Sequence, residues 1–156
     1  MSLKDDIAAF ESATQYFLNL VVAVQPDQLD IKHENGWSAR QIIHHVADSE
    51  VQSYVRLRRL MAEPEGTTIQ GYDEGAWAAN EHLGYEKFDV KNSIAAYAAV
   101  RASTADVLKT LSESDLERWG EHTEKGRITV QDWLNSYVAH PKDHGDQLVR
   151  ALKGQE

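Results

Sequence analysis

The chain has 156 residues with 25 acidic and 16 basic side chains, a formal net charge of -9, and 42% hydrophobic against 26% charged residues. That is the composition of a globular protein long enough to bury a core, read as a single domain over 1–156, and so acidic a surface argues against nucleic acid or anionic lipid as a partner. There is no cysteine, which excludes disulfides, thiolate ligands and cysteine nucleophiles, so a metal here must be held by nitrogen and oxygen donors.

The N-terminal Met-Ser-Leu-Lys-Asp-Asp-Ile opens an amphipathic pattern with no apolar run behind it suited to a signal or a membrane span. A cytoplasmic location is the expectation. Apolar positions Ile7, Phe10, Ala13, Phe17, Leu20 and Val21 recur at three- and four-residue steps and predict a first helix from about Leu3 to Val24, stopped by Pro26. Asn35-Gly36 marks a turn. Ser38 with Gln41 three positions on is a capping box, and Trp37 before it is placed to pack back on the first turn, so a second helix is predicted from there to about Ala62.

Pro64, Gly66 and Gly71 then open an irregular stretch, Glu63 to about Asp89, longer than bundle connections usually are. It carries Tyr72-Asp-Glu-Gly-Ala-Trp77. A third helix is predicted over about Val90 to Leu111 from Ile94, Tyr97, Ala98, Arg101, Ala105, Leu108 and Leu111. Past the Lys125-Gly126 turn, Thr129 with Asp132 caps a fourth, which ends near Gly154. No strand pattern of comparable strength stands out. The fold class predicted is all-α, a four-helix bundle with a long loop between its second and third helices.

In the fourth helix Trp133, Tyr137, His140, His144 and Ala151 share one stripe. The two histidines are one turn apart and face inward, where both can reach one metal ion. Inward imidazoles must be metal-bound or hydrogen-bonded, and a pair of satisfied core histidines is the competing reading. Position 141 is proline, so the zinc-protease H-E-x-x-H pattern is absent. Pro141 predicts a kink near His140, or a helix that begins again there.

On the second helix the apolar stripe runs through Ile43, Val46, Tyr54, Leu57 and Met61. His45 lies beside one edge of it and His44 beyond the other, so the wheel does not choose a third ligand. Glu50 falls in mid-stripe, unusual for a carboxylate unless it meets a cation, a hydrogen-bond donor or a water cavity, and it is read as lining the site. An ordinary surface glutamate on a slightly rotated helix is the alternative. The basic run Arg56-Leu-Arg-Arg59 reads either as a solvated face or as a holder of a small anion.

The strings Trp37-Ser38, His45-Val46-Ala47-Asp48-Ser49-Glu50 and His140-x-x-x-His144 resemble the DinB-like superfamily of metal-dependent four-helix bundles, over most of the chain. Ser53-Tyr54-Val55-Arg56 and Tyr72-Asp73-Glu74 with Trp77 look most like its YfiT branch. The resemblance implies a metal set of His45, His140 and His144 around Zn2+ or Ni2+. It also implies a small-molecule substrate, and either hydrolysis or S-transfer of a low-molecular-weight thiol as cosubstrate. Homodimerisation is a further extrapolation from the family. Two positions depart from the branch: Glu50 stands where near relatives tend to have histidine, and Pro141-Lys-Asp replaces a histidine-rich spacer.

A divalent ion on neutral donors activates a bound water or thiol near pH 7. Asp48 and Glu50 are the candidate catalytic residues, as proton acceptors or partners of His45, and Arg56, Tyr72 and Trp77 the candidate substrate-binding ones. The reading from another class is a non-catalytic metal-binding bundle, an interaction or stress-response module.

Overall fold

A computed structural model describes residues 2–156. Four long helices form the bundle: α1 (Leu3–Ala23), α2 (Ala39–Ala62), α4 (Lys91–Leu108) and α5 (Val130–Ala151). Their starts follow local chemistry. Ser2 with Asp5, Ser38 with Gln41, and Thr129 with Asp132 each form a reciprocal capping box. Helix α4 begins without a side-chain cap and ends at Leu108, three residues short of the predicted Leu111.

Both α1 and α2 pack on α4 and α5, while α1 has no substantial packing with α2, nor α4 with α5. The first two long helices, α1 and α2, therefore sit diagonally, as do the last two, α4 and α5, while α2 and α4 are neighbours. Diagonal neighbours need long crossovers, which accounts for the extended connection after α1 and the one before α5.

The long connection between α2 and α4 is more ordered than its sequence suggests. It holds β1 (Thr67–Ile69), the short helix α3 (Glu74–Ala79) and a 3₁₀ turn at Glu81–Leu83. Strands β2 (Trp119–His122) and β3 (Gly126–Thr129) form an antiparallel hairpin, and β1 adds to β2 in parallel, with Ile69 opposite His122. This corrects the strand-free expectation. Segments of three or four residues are too short to show period-two alternation, and the parallel pairing is non-local. Gly120 sits where a Cβ would come within 2.8 Å of the Thr67 carbonyl and 2.7 Å of Ile69, so the strands approach through a position that only glycine leaves open.

The apolar core lies in two parts. One gathers Phe10, Leu57, Leu60, Leu108, Trp133 and Leu134; the other Phe17, Val21, Ile42, Val46, Tyr97 and Leu148. The α2 segment from Ile42 to Ala47 is buried without interruption. That continuous burial is why a one-sided wheel could not place His44 and His45.

Helix α5 runs unbroken through Pro141 and does not begin again there. Proline removes the donor that would satisfy the Tyr137 carbonyl. The buried Arg101 replaces it, donating from Nη1 to that oxygen at 2.8 Å. Among the described residues no helix is long and apolar enough to cross a membrane.

Candidate metal centre

The inward stripe of α5 and the first turns of α2 meet where His45, His140 and His144 converge. One ligand-capable nitrogen from each lies within 4.8 Å of the other two, the only such cluster of three or more histidines and carboxylates among the described residues. His45 Nε2 and His144 Nε2 are 3.1 Å apart. Two nitrogens on one tetrahedral zinc ion, each at ~2.0–2.1 Å, stand about 3.3 Å apart, so this pair is spaced for a shared ion. The edge of Trp37 meets the His45 ring, on the second turn of α2, at a centroid distance of 5.1 Å.

Burial keeps all three rings neutral, the form that binds metal. His45 is pushed down to about 4, by burial and then by the neighbouring His144. His140 is pushed down to about 2, by burial and then by His144 and His45. Burial also lowers His144, opposed by its hydrogen bond to Gln147. His144 Nδ1–H donates to Gln147 Oε1 at 2.7 Å, which fixes that tautomer and leaves the Nε2 lone pair facing His45.

The adjacent His44 is a different case. It takes the Ser93 hydroxyl proton at Nδ1 (2.8 Å) and donates from Nε2 to the Phe88 carbonyl (3.2 Å), so both ring nitrogens are used. Hydrogen-bonded core histidine describes His44. It does not describe His45 or His140, whose buried Nδ1 atoms have no partner in the protein.

The predicted carboxylates are engaged elsewhere. Glu50 is fully buried but pairs with Arg101 Nη1 at 3.3 Å. Burial raises its carboxyl above the usual range, and Arg101 draws it back. Asp48 accepts from the Tyr85 hydroxyl at 2.7 Å, on the His44 side of α2, and does not orient His45. Both partners lie far off in sequence, yet one signal was readable: Arg101 occupies the apolar stripe of its helix as Glu50 does on α2.

Arg56 does reach the site. It lines a cavity with His140 and is anchored by donating to the Tyr137 hydroxyl and the Gln70 carbonyl, each at 2.8 Å. Tyr72 and Trp77 pack against each other with ring centroids 4.7 Å apart and planes tilted by 57°, and the Arg56 guanidinium lies 6.0 Å from the Tyr72 ring. Neither lines the cavity at His140. Burial raises the Tyr72 hydroxyl, which keeps its proton. Sequence reasoning passed over Glu74, the first residue of α3, which lines that cavity and also the one at His144. Its signal lay inside the Tyr72-Asp73-Glu74 string.

A helical bundle with three neutral imidazoles gathered at one inner point, reached by cavities at His140 and His144, defines a protein of the bundle-borne metal-site class. The chain belongs to the DinB superfamily, whose profile matches residues 9–148. It is 33% identical over 151 residues to a protein of Oceanobacillus iheyensis named "putative metal-dependent hydrolase", covering 96% of this chain and 86% of that one. It is 34% identical over 130 residues to YfiT of Bacillus subtilis, which bears the same description, covering 81% and 71%. The solved structure of B. subtilis YfiT, described as a probable metal-dependent hydrolase with an unusual four-helix bundle topology, matches with a TM-score of 0.86 at 27% identity. That match covers 99% of this chain and 89% of that one. These likenesses and the histidine cluster together support metal binding.

Proposed function

We propose that this protein is a metal-dependent hydrolase of a small molecule, with one divalent ion held by His45, His140 and His144. The observation that carries the reading is the convergence of three neutral imidazoles, one ligand nitrogen of each within 4.8 Å of the other two. The donor set fits such an ion. Three nitrogen ligands suit Zn2+ or Ni2+ and leave coordination open, unlike a closed structural site. When bound, the ion supplies Lewis acidity that polarises a carbonyl and makes water nucleophilic near neutral pH.

The chain's own residues supply the rest. Gln147 holds the His144 tautomer, and Trp37 confines the His45 ring. Arg101 takes the carbonyl that Pro141 frees, so the turn bearing His140 keeps its helical path, and Glu50 acts through Arg101 as a positioning residue. Glu74 is the carboxylate common to both cavities and the residue we assign to accept the proton of the attacking water. Water, and not a thiol, is the nucleophile proposed, because the relatives are named hydrolases.

The test is bound-metal analysis of protein purified without added metal, followed by screens on small esters and amides. Wild type is expected to carry one ion per chain and to hydrolyse a member of that set, whereas His140→Ala loses both. Unchanged metal content in His140→Ala overturns the site. Metal without hydrolysis, or turnover only with an added thiol, overturns the hydrolase assignment.

A further inference from the structure

We propose that the cavity beside His140 is an oxyanion subsite, and that the substrate is a small molecule with a carboxylate or phosphate group close to its scissile bond. The inference rests on the metal-centre reading above for where the bond is cleaved. The cavity, about 130 Å³, is lined by Arg56, His122 and Lys125 together with His140. Three basic residue types around one small space stand out in a chain of net charge -9.

The cations there are not spent on the protein. Neither Arg56 nor Lys125 forms an ion pair among the described residues. Arg56 is fixed by the Tyr137 hydroxyl and the Gln70 carbonyl, and its buried Nε has no partner. A guanidinium held in place with donors to spare is built for a planar oxyanion. His122 is buried, and its Nδ1 accepts from the Glu124 backbone N–H at 3.2 Å, so its ring proton sits on Nε2 as a donor. Burial, with Arg56 and Lys125 adding to it, keeps that ring neutral.

Two carboxylates share the lining, one tied to the protein and one left open as the proton acceptor assigned above. Asp132 accepts from the Thr129 N–H and hydroxyl, closing the start of α5. Glu74 stands exposed at the start of α3, and also lines the cavity at His144. The apolar wall of Ile128 and Trp133 leaves room for a short carbon skeleton. The small sheet makes this assembly. The pairing of β1 with β2 sets Ile69 opposite His122 and brings in Gln70, the anchor of Arg56, and the β2–β3 turn carries Lys125.

Acetate and inorganic phosphate, titrated separately into the intact 156-residue chain as purified and after chelation, test this through the NMR shifts of the His122 and Lys125 signals. Saturable shifts are expected for at least one anion, in both preparations, and the tighter of the two names the group. Losing one charge-assisted hydrogen bond predicts binding weakened about 10-fold in Arg56→Met. Lys125→Met, in an exposed turn, leaves folding intact and is expected to weaken binding by a smaller factor. Bound metal stays at the wild-type level in both, which separates this result from a failure of the metal centre. Shifts that do not saturate, or that survive both substitutions, overturn the proposal. So do shifts that vanish on chelation, since the anion then sits on the ion.

Discussion

Two polar clusters interrupt the core of this bundle, and they are completed in opposite ways. At Arg101 every guanidinium nitrogen finds a partner within the protein: Nε donates to Thr14 Oγ1 at 2.7 Å, Nη2 to the Phe10 carbonyl at 2.9 Å, and Nη1 to Glu50 and the Tyr137 carbonyl. It also lies 3.4 Å over the Phe10 ring. At the imidazoles the protein stops short, with two buried ring nitrogens unpartnered and a cavity on the His140 side. Burial alone therefore does not mark function. A buried cation satisfied by three helices is architecture, while buried neutral bases left unsatisfied are a place for something else.

The contrast can be broken most forcefully at Arg101. Removing one partner of a buried pair costs about 3–5 kcal/mol, so Arg101→Ala should lose that much stability by denaturant unfolding. Measured on chelated protein, His140→Ala should change stability by less than about 2 kcal/mol, because lost packing is offset by relief of an unsatisfied polar group. Equal losses would erase the distinction between the clusters. The next effect is acid sensitivity. Unfolded histidine titrates near 6.5, whereas folded His45 does so at about 4. Between those values the unfolded chain binds more protons, so the stability of chelated protein is full above 6.5 and falls as the pH drops toward 4. Urea midpoints from pH 7.5 to 5 check this, and the slope should shrink in His140→Ala, where another depressed imidazole is gone. The smallest effect is at Gln147, which orients His144: Gln147→Leu should weaken metal affinity about 10-fold with folding unchanged, as seen by competition with a chelator.

The four helices were legible because their signals are local: the boxes at Ser38 and Thr129 fix two starts, and the apolar stripes run for five or six turns. The sheet was not, since its strands are a few residues long and β1 and β2 are separated in sequence by the whole of α4. His45 and His44 differ by one position and about 100° on a helix buried on nearly all sides, so family likeness separated them where periodicity could not. Glu50 was legible as a buried carboxylate in need of a cation or donor, but not as to which one. The guanidinium that answers it sits one helix away, as conspicuous in its own apolar stripe. His122 and Lys125 gave no signal, because a turn residue and a strand-end histidine gain meaning only when the sheet sets them beside α5.

The proposed ligands come from the second helix and the last, 99 residues apart between His45 and His144. An ion there would act as a clasp between chain segments made at different times. The nascent chain cannot close it until the C-terminal helix has emerged, and the finished protein would draw stability from free metal by mass action, about 4 kcal/mol at a thousand times the dissociation constant. Metal scarcity would then lower the stability of the fold together with any activity at the site.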